Sequence, residues 1–208
     1  MRGTKDAKSL DKPPRYIDIR RVQRSNKELW ISLIAGIGVT VVYIIVTRWY
    51  QAIPAAGSLF GHLIGVLGFL LMLATETLYS FRKRSKTAKW GSMAEWLQFH
   101  IFTGIVGPYM VLLHTSWKFN GLAGATIVLT IIIVFSGFIG RFIYTRIPRN
   151  LDGSEISDSE GQPQAEALIK TRRIFAIWHA IHIPFGMALF AAALIHIGAA
   201  LYYATLLR

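Results

Sequence analysis

Residues 96–116 read WLQFHIFTGIVGPYMVLLHTS, and residues 178–198 read WHAIHIPFGMALFAAALIHIG. Neither stretch contains Asp, Glu, Lys or Arg, and each is close to the ~20 residues that carry a helix across a bilayer. Each also holds two histidines fourteen residues apart, His100 and His114 in the first and His182 and His196 in the second. Fourteen residues is close to four helical turns, so both members of a pair lie on one face, about 21 Å apart along the axis. Ionisable groups at such depth are costly and usually mark function.

The rest of the chain agrees with a membrane setting. Its 208 residues are 53% hydrophobic, only 16% are charged, and the formal net charge is +12. Ordinary soluble domains carry roughly a quarter charged residues. Here the charges fall in blocks between apolar runs at about 30–49, 59–79, 96–116, 122–144 and 174–203. The fold expected is all-α, an integral membrane bundle of five transmembrane helices. The organisation expected is a basic N-terminal segment over 1–29 and a transmembrane domain over 30–208, with an acidic, Ser/Gly-rich loop over 150–170. The first thirty residues are polar and basic and contain Pro13–Pro14, so no cleavable signal peptide is expected.

Basic residues give the expected orientation. Twenty of the 23 Lys and Arg fall on one side of such a bundle, leaving Arg48, Lys118 and Arg208 on the other. The positive-inside rule then puts the N-terminus in the cytoplasm and the C-terminus outside. These runs read as topological and lipid-facing, which argues against nucleic-acid binding. Trp30, Trp49, Trp96, Trp117, Tyr144, Tyr202 and Tyr203 sit near span ends, where interfacial anchors belong. Ser92 and Glu95 are spaced as a capping box for the third helix.

Spans three and five are separated by one helix and so run parallel. His100 is then level with His182 towards the cytoplasm, and His114 with His196 towards the outside. Two facing imidazoles at each of two levels is the protein's share of two bis-histidine haems, since imidazole suits iron as a nitrogen ligand. The absence of cysteine excludes a covalently attached c-type haem, a cysteine-ligated iron–sulfur cluster, thiolate zinc and any disulfide. Gly104, Gly107 and Val111 continue the His100 face, and Gly186, Leu189 and Ala193 the His182 face. Small residues there would let a flat macrocycle lie against the helix. The plainer explanation is that Gly and Ala permit close helix packing.

The stretch Leu63-Ile-Gly-Val-Leu-Gly-Phe, then Ser80-Phe-Arg-Lys-Arg, then His100 to His114, resembles the transmembrane domain of ferric reductases and NADPH oxidases. That resemblance implies two haems b held by histidine pairs on the third and fifth helices. The pair spacing is also similar to that of cytochrome b in respiratory bc complexes. It implies transmembrane electron transfer by a di-haem b-type cytochrome subunit of a respiratory or photosynthetic redox complex, seated in a bacterial inner membrane. The chain departs from those families in three ways. It ends five residues after span five, it has no Gly-rich dinucleotide fingerprint, and it lacks the Pro-Glu-Trp-Tyr loop of the bc-complex quinol site. A free-standing haem module is expected, exchanging electrons with other subunits or carriers such as a c-type cytochrome, an iron–sulfur protein or a flavin protein. The chain itself is expected to have no complete catalytic site.

Several further residues carry open alternatives. His179 competes with His182 as ligand but would break the matched spacing. His62, at the depth of His114, could orient the outer haem, bind a quinone head group or simply be paired inside the bundle. Arg141 could pair with Glu76, or, like Arg82 and Arg146, neutralise haem propionates through a guanidinium fork. Quinone exchange would need a proton acceptor, and His62, His179 and Glu76 are the candidates. Pro108 and Pro184 are expected to bend their helices. Two other classes of function compete with electron transfer: a haem-free proton or metal transporter, and a membrane anchor for a peripheral enzyme.

Overall fold

A computed structural model describes residues 26–84, 93–144 and 163–206. It contains five helices and, among the described residues, no strand: α1 Lys27–Tyr50, α2 Leu59–Arg84, α3 Met93–His114, α4 Gly121–Tyr144 and α5 Pro163–Leu206. All five are long and apolar enough to cross a membrane. Apolar solvent leaves no partner for a free N–H or C=O, so a helix, which satisfies both internally, is the form such segments adopt. Their outward surfaces are correspondingly greasy, with Ile34, Trp49, Leu59 and Phe135 all more than 60% exposed. Residues 1–25, 85–92 and 145–162 lie outside the described set, and with them Ser92, Arg146 and most of the acidic link.

The helices alternate in direction, so the start of α1 lies at the same end of the bundle as the end of α2, the start of α3 and the end of α4. That end carries the clusters of Lys and Arg and is called the basic end below; the other is the far end. The most extensive packing joins α2 to α3, followed by α4 to α5, with α1 against α3 and a lighter contact of α3 with α4. The α2–α3 seam closes on two glycines. A Cβ on Gly68 would sit 2.8 Å from the Gly107 carbonyl oxygen, and one on Gly107 would sit 2.9 Å from that of Gly68. Side chains there would force the backbones apart, which is the usual reason for small residues at membrane helix crossings. Beside this seam Ile64, Val106, Met110 and Leu113 are buried together, with Val39, Tyr43 and Phe60 packed on them.

The far end is closed by its turns. Gln51 ends α1 in the left-handed region with φ 53°. Ser116 and Trp117 follow α3 with φ of 50° and 63°, a conformation L-residues adopt only when something holds them. The Ser116 hydroxyl donates to the Pro54 carbonyl at 2.6 Å, tying the α3–α4 turn to the α1–α2 connection.

One boundary differs from expectation. The loop expected over 150–170 stops short, because Pro163–Lys170 is already helical. Proline suits a first helical position, having no N–H to leave unpaired, and Gln-Ala-Glu-Ala-Leu after it are good helix formers. Hydropathy does not register so polar a turn. The resulting 44-residue helix is about 66 Å long at 1.5 Å per residue. The hydrocarbon core is only ~30 Å thick, so part of α5 stands beyond the apolar layer.

Candidate functional site

The side chains that give this bundle chemical capacity are its histidines, and the structure sorts them by level. On α3, the His100 ring sits against α2 near the basic end, where Nδ1 lies 3.1 Å from the carbonyl oxygen of Thr75. A carbonyl can only accept, so Nδ1 carries the proton and Nε2 keeps its lone pair. The Thr75 hydroxyl in turn lies 2.7 Å from that of Thr103. Thr103 is fully buried and also donates to the Phe99 carbonyl at 2.9 Å. On α5, His182 lies within electrostatic reach of both His100 and His179.

Near the far end the same arrangement recurs with different parts. His114 Nδ1 lies 2.8 Å from the Gly61 carbonyl oxygen, again fixing the Nδ1–H tautomer. The ring rests on Gly65, where a Cβ would come within 2.7 Å of its Cγ and Nδ1. His196 of α5 and His62 of α2 both lie within electrostatic reach of His114. His62 is exposed, and its Nδ1 lies 3.2 Å from the Ser58 carbonyl oxygen. His196 makes no hydrogen bond among the described residues.

His100 is therefore brought near His182, and His114 near His196. On α5 the residues of the same face, Gly186, Leu189 and Ala193, are the buried ones. A Cβ at Gly186 would meet only Glu76 Oε2 at 3.8 Å and Ile133 Cδ1 at 4.0 Å, which is ordinary contact. The α3 glycines behave differently. Gly107, expected on the cofactor face, faces Gly68, and a Cβ on Gly104 would lie 3.6 Å from Thr75 Cγ2. Both lie along α2, the helix whose carbonyls also hold His100 and His114.

Arg141 requires a correction. Expected to pair with Glu76 or to serve propionates, it is held by α1 instead. Its Nη2 lies 2.7 Å and its Nε 3.1 Å from Glu28 Oε1, and Nη2 also reaches Asn26 Oδ1 at 2.9 Å. Glu28 is 6% exposed, and its Oε2 has no hydrogen-bond partner. A guanidinium holding a buried carboxylate stays with it, because the unpaired charge would be costly in so apolar a place.

Sequence reasoning missed groups that hold the rings: the Thr75 and Gly61 carbonyls, Gly65 and Ser136. Trp178 Nε1 donates to the Ser136 carbonyl at 2.8 Å and lies 3.1 Å from its hydroxyl. That hydroxyl is 3.0 Å from His182 Nδ1. A signal for Ser136 was present, as a hydroxyl in an apolar run at the depth of His182; backbone carbonyls leave none.

Among the described residues no three His, Asp or Glu side chains converge as a metal cluster. At each level one imidazole of α3 and one of α5 lie within electrostatic reach of each other. His100 and His114 both have Nδ1–H engaged by a backbone carbonyl, which makes Nε2 the unprotonated ring nitrogen, as in a ligating histidine. No family model matches this chain, and neither does any curated protein or solved structure.

Proposed function

We propose that this chain is a di-haem b-type cytochrome that carries electrons across a membrane as part of a larger redox complex. The observation that carries the reading is the repeated histidine arrangement. At each of two levels, an imidazole of α3 bound through Nδ1–H to a backbone carbonyl lies within electrostatic reach of an imidazole of α5. His100 and His182 would hold one haem b, and His114 and His196 the other. Bound there, haem supplies an iron that cycles between ferric and ferrous states.

The protein's own work is to keep the ligating rings fixed and dry. The Thr75 and Gly61 carbonyls fix the tautomers of His100 and His114 and raise their basicity as ligands. Gly186 leaves room beside His182, and the buried Leu189 and Ala193 exclude water between levels. With histidine on both sides of each ring system, no position would remain for oxygen or another substrate, so the residues favour relay over binding chemistry. The two levels stand about 21 Å apart along α3 and α5. Moving one charge through the full membrane is worth about 2.3 kcal/mol per 100 mV, so transfer between the levels would couple to the membrane potential.

The clustering of Lys and Arg supports a cytoplasmic basic end, with the N-terminus inside and the C-terminus outside, and a bacterial inner membrane suits such a subunit. Its donor and acceptor would be a c-type cytochrome, an iron–sulfur protein or a flavin protein. Membrane quinone would be a third candidate, with the half-buried Glu76, whose Oε2 faces Gly186, as the carboxyl that would exchange its proton. A dithionite-reduced minus oxidised spectrum of the purified chain tests the reading. A b-type signal is expected, and a colourless protein would sink it.

One observation favours a second reading. Each pair has a third histidine within electrostatic reach of one member, His179 of His182 and His62 of His114. Such series of imidazoles would suit a haem-free proton relay. That protein would lack visible absorbance.

A further inference from the structure

The two imidazoles contributed by α5 are held in opposite ways. His196 makes no hydrogen bond among the described residues. His182 is enclosed by a side-chain assembly on α4 and α5. Its ring stacks on the Trp178 indole at 4.7 Å between centroids and 28° between planes. Its Nδ1 meets the Ser136 hydroxyl at 3.0 Å. The Trp178 N–H is shared between the Ser136 carbonyl and the same hydroxyl, at 2.8 and 3.1 Å. Gly140, one turn beyond Ser136, makes the space, since a Cβ there would run into the indole ring.

We propose that Ser136, Trp178 and Gly140 form a clamp that sets the tautomer and ring plane of His182. They would thereby act as positioning residues for the basic-end ligand. This rests on the haem reading above. A serine hydroxyl offers two lone pairs and one proton. The indole N–H can only donate, so it occupies one lone pair. The hydroxyl keeps one lone pair and its own proton, and the clamp assigns the lone pair to Nδ1, where it accepts the imidazole proton and leaves Nε2 unprotonated, as a metal ligand must be. Stacking fixes what the hydrogen bond leaves free, namely rotation of the ring about its own bond to the chain. Gly140 is required because a full indole must lie flat against α4 to reach both Ser136 acceptors.

The clamp makes two physical demands on the metal centre. A hydrogen bond from Nδ1–H to an acceptor gives the ring imidazolate character, which favours the ferric state and lowers the midpoint potential. The angle between the two axial imidazole planes sets the d-orbital splitting of low-spin ferric iron, and with it the largest g value. Both belong to one haem of the two.

The test is a redox titration with electron paramagnetic resonance on the full chain in detergent, for wild type, Ser136→Ala, Ser136→Thr and Trp178→Phe. Haem content is measured on each sample. Ser136→Ala is expected to keep two haems, raise the midpoint potential of one and move its largest g value, leaving the other unchanged. Ser136→Thr restores the hydroxyl and is expected to return both quantities towards wild type. Trp178→Phe keeps a stacked ring but no N–H, and is expected to move the same haem by less. The clamp is overturned if Ser136→Ala and Trp178→Phe hold two haems with both signals as in wild type. It is equally overturned if Ser136→Thr behaves like Ser136→Ala. Failure of the haem reading itself would show in the unmutated protein, as an absence of haem before any variant is made.

Discussion

The two ends of the bundle solve one problem with different materials. At the basic end, His100 is held by the Thr75 carbonyl within a threonine network, and His182 by Ser136 and Trp178. At the far end, His114 lies on Gly61 and Gly65 of α2, with a backbone oxygen as its partner, and His196 has no hydrogen-bond partner among the described residues. At both ends a backbone carbonyl of α2 holds the α3 histidine, so the ends differ on α5, where side chains hold His182 and, among the described residues, no hydrogen bond holds His196. A hydrogen bond to Nδ1 tunes the electronic character of a ligating imidazole. Two haems held as proposed would therefore differ in potential.

The strongest way to break this comparison is to delete one level at a time. His100→Ala or His182→Ala is expected to cut the haem content from two per chain to one and leave the far-end spectrum intact. His114→Ala or His196→Ala is expected to do the converse. Loss of both haems from every variant would mean that the levels are not independent sites.

Next in size is the ion pair at the basic end. Arg141→Ala strands the Glu28 carboxylate in a buried place, and breaking such a pair costs roughly 3–5 kcal/mol. Thermal unfolding in detergent should fall clearly for Arg141→Ala and less for the double variant Glu28→Gln with Arg141→Ala, which leaves no charge behind. An Arg141→Ala protein as stable as wild type would mean that α1 is not braced to α4 by this contact.

Gly65→Ala sharpens the far-end half of the comparison. Its Cβ would lie 2.7 Å from the His114 ring, and overpacking of this kind costs about 1–3 kcal/mol. The far-end haem signal should broaden or shift while the basic-end signal stays. The smallest effect is expected from Thr103→Val, which removes one hydrogen bond to Thr75 and should cost about 0.5–1.5 kcal/mol. It should leave the His100–Thr75 carbonyl contact in place, so that the midpoint potentials change less than in Ser136→Ala.

The helical spans were legible because a bilayer demands the same thing of every segment that crosses it, an apolar run of about 20 residues. The level of each histidine was legible for a related reason, since fourteen residues return a helix to nearly the same face. Pro163–Lys170 escaped because polar residues give hydropathy nothing to register, although the proline marks the helix start. The partner of Arg141 escaped because it lies 113 residues away in sequence, on a helix whose contact with α4 no periodicity reveals. Gly107 was assigned to the right face of α3 but to the wrong neighbour. Periodicity in one helix does not say which neighbour a residue meets. The ring-holding carbonyls of Thr75 and Gly61 had no signal at all, since every residue carries one.

The central claim is that four histidines hold two haems. A pyridine haemochrome assay on the purified full chain, referred to protein by quantitative amino-acid analysis, reads it most directly. Two protohaems per chain are predicted for wild type, and one for each single histidine variant named above. A chain that binds no haem, or whose content is unmoved by loss of His100, His114, His182 or His196, would contradict it.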